Sequence, residues 1–459
     1  MLLVFLSSCS DKEDSNMGFT GETGEVGLMI LSPGHFHASL VQKTMYNQIS
    51  PDVYVYAPEG SDVEIYLKSI ESFNTREENP AHWEEKVYTG PDFFERMIKD
   101  KPGNVMITAG DNRKKTEYIK AAVDAGIHVF SDKPMCIDRT GFELLKEAFE
   151  SAETNNVLLY DIMTERHEIT SILQKELVNN KDVFGEILPG SPDNPSVIKE
   201  SVHHIFKYVA GSPIQRPPWY FDITRQGEGL VDISTHLVDL VMWGCFPEQI
   251  IDYTSDVELA SARRWPTILS KSQFEKVTML SDFPDYLKSG LDKNGVLPYY
   301  CNGEIIFRIN GIYAKTSVIW NFEAPEGTGD THYSLIKGTK ASVIILQDKE
   351  QNYRPELYVE PSEPMQKTGQ DDFDGAVENA FSILQTKYSG IGLKKEGAKW
   401  HVLIPDEYRV GHEAHFGQVT EKYLGYLIEG RLPEWEIPNM LAKYYLTTGA
   451  LELAHKNEK

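Results

Sequence analysis

At 459 residues the chain is longer than one hydrophobic core usually organises, so two domains are expected. Hydrophobic residues at 41%, aromatics at 11% and charged residues at 25% are globular proportions and exclude wholesale disorder. A formal net charge of −24 excludes a nucleic-acid partner, whose phosphates need clustered Lys and Arg, and loose adsorption on anionic lipid.

The first ten residues, M-L-L-V-F-L-S-S-C-S, form an apolar run too short to span a bilayer but similar to the end of a signal peptide. Leu6-Ser7-Ser8-Cys9 resembles the lipobox at which bacterial lipoproteins are cut and acylated. Cys9 is therefore expected to carry a lipid anchor, the only membrane contact, which places the chain in the bacterial cell envelope. A frayed apolar terminus with a chance cysteine is the alternative, and it leaves the chain in the cytoplasm. Residues 10–24 are polar and Gly-containing and read as a tether, so 1–24 form a signal and tether segment. The other cysteines, Cys136, Cys245 and Cys301, stand far apart without C-x-x-C spacing, which argues against a zinc site, a redox pair or a disulfide framework.

From Val26 to about Asp161 short apolar runs alternate with helical patterns, the signature of βαβ units on a parallel sheet. Strands are predicted at 26–31, 53–57, 105–108, 128–130 and 157–160. A helix is expected from near His35, and another over Thr116 to Ala125, ending at Gly126. From about Gly303 the period changes to two, with strands at 304–310, 314–320, 332–337 and 341–346 joined by Gly-containing turns, which predicts an antiparallel sheet with one covered face. Asn439 to Lys456 has helical spacing and is expected to return onto the body. The boundaries follow as 25–162 for the parallel-sheet domain and 163–459 for an α+β domain.

Three constellations can carry chemistry. The strand-turn-helix at 30–40 offers Ser32, Pro33, Gly34, His35 and Phe36 where a dinucleotide pyrophosphate would meet a helix N-terminus, although only Gly34 remains of a G-x-G-x-x-G pattern. It reads either as a phosphate loop or as a structural turn. Glu59, just beyond the second strand, stands where a carboxylate would accept from the ribose hydroxyls and repel a 2′-phosphate, favouring NAD over NADP; a solvated loop Glu is the alternative. The second is Ser131-Asp132-Lys133-Pro134, at the carboxyl edge of a strand. A lysine there can polarise a substrate hydroxyl, unless it is a plain loop lysine. In the third, Gly227 to Asp239, Asp232 and His236 are spaced to share a helix face, so that the carboxylate orients the imidazole as a proton acceptor. No second ligand at similar spacing is evident there, so no metal is expected.

These stretches resemble the glucose-fructose oxidoreductase and inositol dehydrogenase (Gfo/Idh/MocA) family. Ala125-Gly-Ile-His-Val129 followed by Asp132-Lys133-Pro134 is similar to its A-G-K-H-V-x-x-E-K-P. Gly227 to Asp239 is similar to its G-G-G-x-L-x-D-x-G-x-H-x-x-D, Gly34-His-Phe-His37-Ala38 to its G-x-x-H-A, and Lys337-Gly-Thr-Lys-Ala341 to a turn in its C-terminal sheet. The resemblance implies an N-terminal Rossmann domain, a C-terminal mostly antiparallel open-sheet α+β domain, NAD (NADP less favoured) and a sugar, glycoside or polyol substrate. It implies that Lys133, Asp232 and His236 are catalytic, and that Gly110, Asp111, Asn112, Asp132 and Lys133 join the cofactor loop and Glu59. Departures are the two absent glycines, Asp132 for Glu, Ser234 for Gly, and Gly110-Asp-Asn112-Arg-Lys-Lys115 for the family's T-P-N-x-x-H. His203, Arg216, Trp219 and Tyr220 suit stacking and hydrogen bonding on a pyranose, with core packing as the alternative, and Gly411-His412-Glu-Ala-His415 either reaches the site or caps a helix. The resemblance also allows a homo-oligomer through the C-terminal sheet. Hydride transfer from a secondary hydroxyl is the expected chemistry; a glycosidase using transient oxidation and elimination, or a non-catalytic sugar sensor, are the alternatives.

Overall fold

The computed structural model describes residues 18–209 and 212–458, so Cys9 and its signal lie outside the described residues. Six strands, β1 (Val26–Leu31), β2 (Ile49–Ala57), β3 (Glu84–Thr89), β4 (Val105–Thr108), β5 (His128–Asp132) and β6 (Leu159–Ile162), form a wholly parallel sheet in the order β3-β2-β1-β4-β5-β6. Met29, Ile30 and Leu31 have no exposed surface, as a central parallel strand covered on both faces requires. The order reverses between β1 and β4, so a crevice opens at the carboxyl ends of these two strands. β3 is absent from the predicted set because E-E-K-V-Y-T is a charged, largely exposed edge without an apolar pattern.

The helix expected after β1 is only His37–Leu40, a single turn. The next carbonyls are engaged elsewhere: Gln42 O accepts from the Trp83 indole at 2.5 Å. By contrast Lys115–Asp124 forms as expected and ends before Gly126, whose φ of +73° suits a residue without a side chain. Residues 18–24 are docked rather than a free tether, since Phe19 packs edge-on against His128 at 5.2 Å and Gly24 N donates to Asn47 O.

After a small ribbon that follows β7 (Val197–Phe206), β8 (Tyr208–Val209) with β9 (Ser212–Pro213), the chain builds β10 (Val257–Leu269), β11 (Leu297–Ile309), β12 (Ile312–Glu323), β13 (Thr331–Lys337), β14 (Ala341–Gln347), β15 (Glu356–Pro361), β16 (Gly392–Glu396) and β17 (Lys399–Leu403). The large sheet runs β10-β11-β12-β7-β13-β14-β15-β17-β16, and only β12 with β7 is parallel. β7 was hidden in the sequence because Lys199, His203 and His204 interrupt its apolar pattern. Helices Ile169–Val178 and Ser234–Cys245 cover one face of the sheet.

The last two helices lock the sheets together. Phe416, Val419 and Tyr423 of His412–Glu429 enter the core of the parallel sheet, while Ala442, Leu446 and Ala450 of Glu436–Asn457 enter that of the large sheet. Between them lies a buried ion network: Arg166 pairs with Asp239 at 2.6 Å and Glu436 at 3.0 Å, and Lys443 with Asp161 at 2.7 Å and Asp239 at 2.9 Å. Asp239, part of the motif at 227–239, is thus spent on Arg166 and Lys443. With several charges paired in one dry cluster, loss of any member strands another.

Candidate active site

β5 carries Asp132 to the carboxyl edge of the parallel sheet, and Lys133 follows it. The turn before the helix Ser234–Cys245 brings Asp232 to meet Lys133, Nζ to Oδ1 at 2.6 Å, while Gln226 Nε2 donates to the other carboxylate oxygen at 3.0 Å. Both side chains are buried. Burial pushes the Asp232 carboxyl up, and the Lys133 ammonium more than offsets it, holding the group below the usual carboxylate range.

His236 lies in the first turn of that helix, buried, with no hydrogen-bond partner at Nδ1. Asp232 and His236 do not share a helix face as expected. The helix starts at Ser234, and Asp232 sits two residues earlier, where its carbonyl accepts from Thr235 N and its carboxylate turns to Lys133. Burial, reinforced by Lys133, pushes the His236 imidazole down to about 4, so at neutral pH it is an uncharged proton acceptor.

A second cluster adjoins this one. His37 Nδ1 is 3.0 Å from Asp132 Oδ2, His35 Nδ1 4.0 Å from the same oxygen, and the two rings lie edge to face at 4.0 Å. His412 Nε2 approaches His37 Nε2 at 3.3 Å, and Glu165 Oε1 lies 3.6 Å from His412 Nδ1. Of residues 411–415, His412 therefore reaches the site. Sequence reading missed Glu165, which lies in no recognisable motif, and Lys115, whose Nζ donates to Asp132 O at 3.0 Å from full burial.

The residues assigned to a dinucleotide fit its reacting end and not its pyrophosphate end. Gly34 N and His35 N, the amides that would cradle phosphate, both donate to Ala109 O at 3.0 and 3.1 Å. Ser32 N donates to Tyr56 O, and Gly110 lies so close to Ser32 O and Gly34 N that a Cβ there would clash at 2.6 and 2.8 Å. A Cβ on Gly34 would meet Asp62 Oδ2 at 3.1 Å and Trp219 Cζ2 at 3.2 Å, so the face of the loop is covered by protein. Pro33 is buried beneath it, Phe36 and Glu59 are exposed, and the one-turn helix that follows lacks the aligned peptides of a phosphate-binding dipole. Asp111 is held by Arg225 at 2.6 Å, and Asn112 Nδ2 donates to Gln226 O at 2.8 Å while its Oδ1 is unpartnered.

The residues chosen for sugar stacking are also engaged with protein. Trp219 Nε1 donates to Asp62 Oδ2 at 2.9 Å, and Tyr220 packs with Phe221 and Tyr299 in a small apolar core. Arg216 is buried, donates to Ile205 O and stacks over Tyr220 and Trp320. His203 stacks on Trp320 at 4.8 Å and faces Asp330, which also binds His204 and Lys207. For Tyr220 and Arg216 core packing wins, because the ring is buried among aromatic neighbours and the guanidinium is buried against the Tyr220 and Trp320 rings. Cys136, Cys245 and Cys301 are free and buried.

Residues 173–455 match the family model described as "Putative oxidoreductase C terminal domain". No curated protein matches the chain. A crystal structure of a "putative oxidoreductase" from Parabacteroides merdae is 55% identical, with a TM-score of 0.94 over 96% of this chain and 100% of that one. At 14% identity, levoglucosan dehydrogenase with NADH and levoglucosan (TM-score 0.58, 94% and 97% covered) and an oxidoreductase domain protein from Kribbella flavida (0.60, 96% and 98%) share the fold. By its C-terminal domain and its close relative, the chain belongs to the oxidoreductases of the Gfo/Idh/MocA type.

Proposed function

We propose that the chain acts on a secondary hydroxyl of a sugar, glycoside or polyol, and that Lys133, Asp232 and His236 handle its proton. The observation that carries this reading is the buried Lys133–Asp232 contact of 2.6 Å between groups 99 positions apart, with neutral His236 following in the next turn of chain. The ammonium is held by Asp232 and can donate to the reacting oxygen, which stabilises developing negative charge, while His236 accepts the hydroxyl proton. A nicotinamide cofactor, NAD before NADP, would supply the hydride acceptor when bound. The complex of levoglucosan dehydrogenase with NADH supports that choice by fold alone. The pyrophosphate end does not fit the closed loop.

The test is to incubate the purified chain with NAD and a panel of glycosides and polyols and to follow nicotinamide absorbance and free sugar together. Reduction of NAD that disappears in Lys133→Met and His236→Asn supports the reading; release of sugar without net NADH points instead to the oxidation-elimination glycosidase. Turnover that survives both substitutions removes the role assignments.

The covered Gly34 loop favours a second reading, a sugar-handling relative that works without a dinucleotide. Titration with NADH and NADPH decides, since this reading requires that neither bind. The anchor at Cys9 and a location in the cell envelope complete the proposal. Palmitate labelling that persists in Cys9→Ser would remove them.

A further inference from the structure

We propose that His35, His37 and Asp132 bind one divalent transition-metal ion beside the Lys133–Asp232 pair. One donor atom from each of the three lies within 4.8 Å of the others. Bonds of about 2.0–2.1 Å allow two ligands of one ion to stand at most about 4.2 Å apart. The 3.0 Å from His37 Nδ1 and 4.0 Å from His35 Nδ1 to Asp132 Oδ2 already satisfy this, and a small rotation of the half-buried His35 closes the rest. Such a rotation gives up the 3.3 Å contact from His37 N to His35 Nδ1 and shifts the ring contacts with Phe36 and His37.

The second argument is the outer partner of His37. His412 Nε2 lies 3.3 Å from His37 Nε2, and Glu165 Oε1 stands 3.6 Å beyond His412 Nδ1. With a metal on His37 Nδ1 and Asp132, His37 Nε2–H donates to His412 Nε2, the oriented outer partner that metal-bound imidazoles usually have.

Charge permits it: Asp132, Asp232 and Glu165 are three carboxylates against two ammoniums, Lys133 and Lys115. Two imidazoles and one carboxylate are donors for zinc, cobalt, manganese or ferrous ions, and three protein ligands leave positions open as in catalytic sites. There the ion can polarise a substrate oxygen. That last role rests on the hydroxyl-handling reading above; the binding does not.

The test uses the full chain, stripped with chelator, dialysed and titrated with Zn²⁺ by calorimetry without substrate, and with Co²⁺ by visible absorbance. One ion per chain is expected, weakened at least tenfold by Asp132→Asn and by His37→Ala and unchanged by His401→Ala. Should either buried variant lose its native circular dichroism, His35→Ala decides by the same criterion. Substoichiometric binding, or full binding retained in all folded variants, overturns the proposal. Failure here leaves the Lys133 and His236 assignments standing, because their test reads turnover.

Discussion

The Trp219 indole lies against Gly34, with Cζ2 3.2 Å from where a Gly34 Cβ would stand and Nε1 donating to Asp62 Oδ2 at 2.9 Å. The tryptophan thereby occupies the face of the loop that a pyrophosphate would use, and a dinucleotide that binds must first displace it. Trp219→Ala is expected to tighten NADH at least tenfold relative to the native chain, read by quenching of nicotinamide fluorescence. It should also lower stability by about 3–5 kcal/mol through the cavity it leaves. Unchanged affinity in a folded variant would show that Ala109 alone keeps the loop shut.

Lys133→Met strands Asp232 in a buried site with Gln226 as its remaining partner. Removing one member of a buried pair typically costs about 3–5 kcal/mol, whereas replacing both by apolar groups is near neutral. Urea unfolding should therefore show Lys133→Met well below the native chain and Lys133→Met with Asp232→Leu close to it, with turnover absent in both. Since the folded Asp232 titrates below its unfolded value, its contribution is present above about pH 4 and lost as pH falls through the lowered folded value.

The histidines act in the same direction at higher pH. Burial lowers His35, His37, His128, His167, His236, His332 and His415, so between about pH 6.5 and 4 the unfolded chain binds more protons than the folded one. Stability should fall steadily as pH drops through that window, which urea midpoints at pH 7, 6, 5 and 4 would measure. Turnover, if His236 is the base, should persist well below pH 6.5 and fail only as pH approaches 4. His236→Asn should cost about 10²–10⁴-fold in kcat.

Lys443→Met removes the cation shared by Asp161 and Asp239 in the junction between the sheets. A loss of about 3–5 kcal/mol is expected by urea unfolding. An exposed pair such as Lys181 with Glu186 should change stability by less than about 1 kcal/mol when broken.

Strands with uninterrupted apolar character, such as Val26–Leu31 and Val105–Thr108, were legible because a strand buried on both faces leaves no other pattern. Glu84–Thr89 and Val197–Phe206 were not, since one is a solvated edge and the other carries lysine and histidines toward polar neighbours. That Lys133 and residues near 232 would share a site was implied by the family resemblance. The covering of Gly34 was not, because Trp219, Asp62 and Gly110 are separated along the chain and nothing local marks their meeting. Glu165 escaped for the same reason.

Local chemistry therefore determined the elements that have their own period, the parallel sheet, the turn at Lys337 to Ala341, and the residue types suited to proton transfer, since periodicity and backbone preference act between near neighbours. Which carboxylate meets which base, whether a loop amide is free or spent on a carbonyl, and how many imidazoles share one oxygen were decided only by the tertiary structure. Those are matters of distances between residues tens to hundreds of positions apart, set by the packing of two sheets under the last two helices.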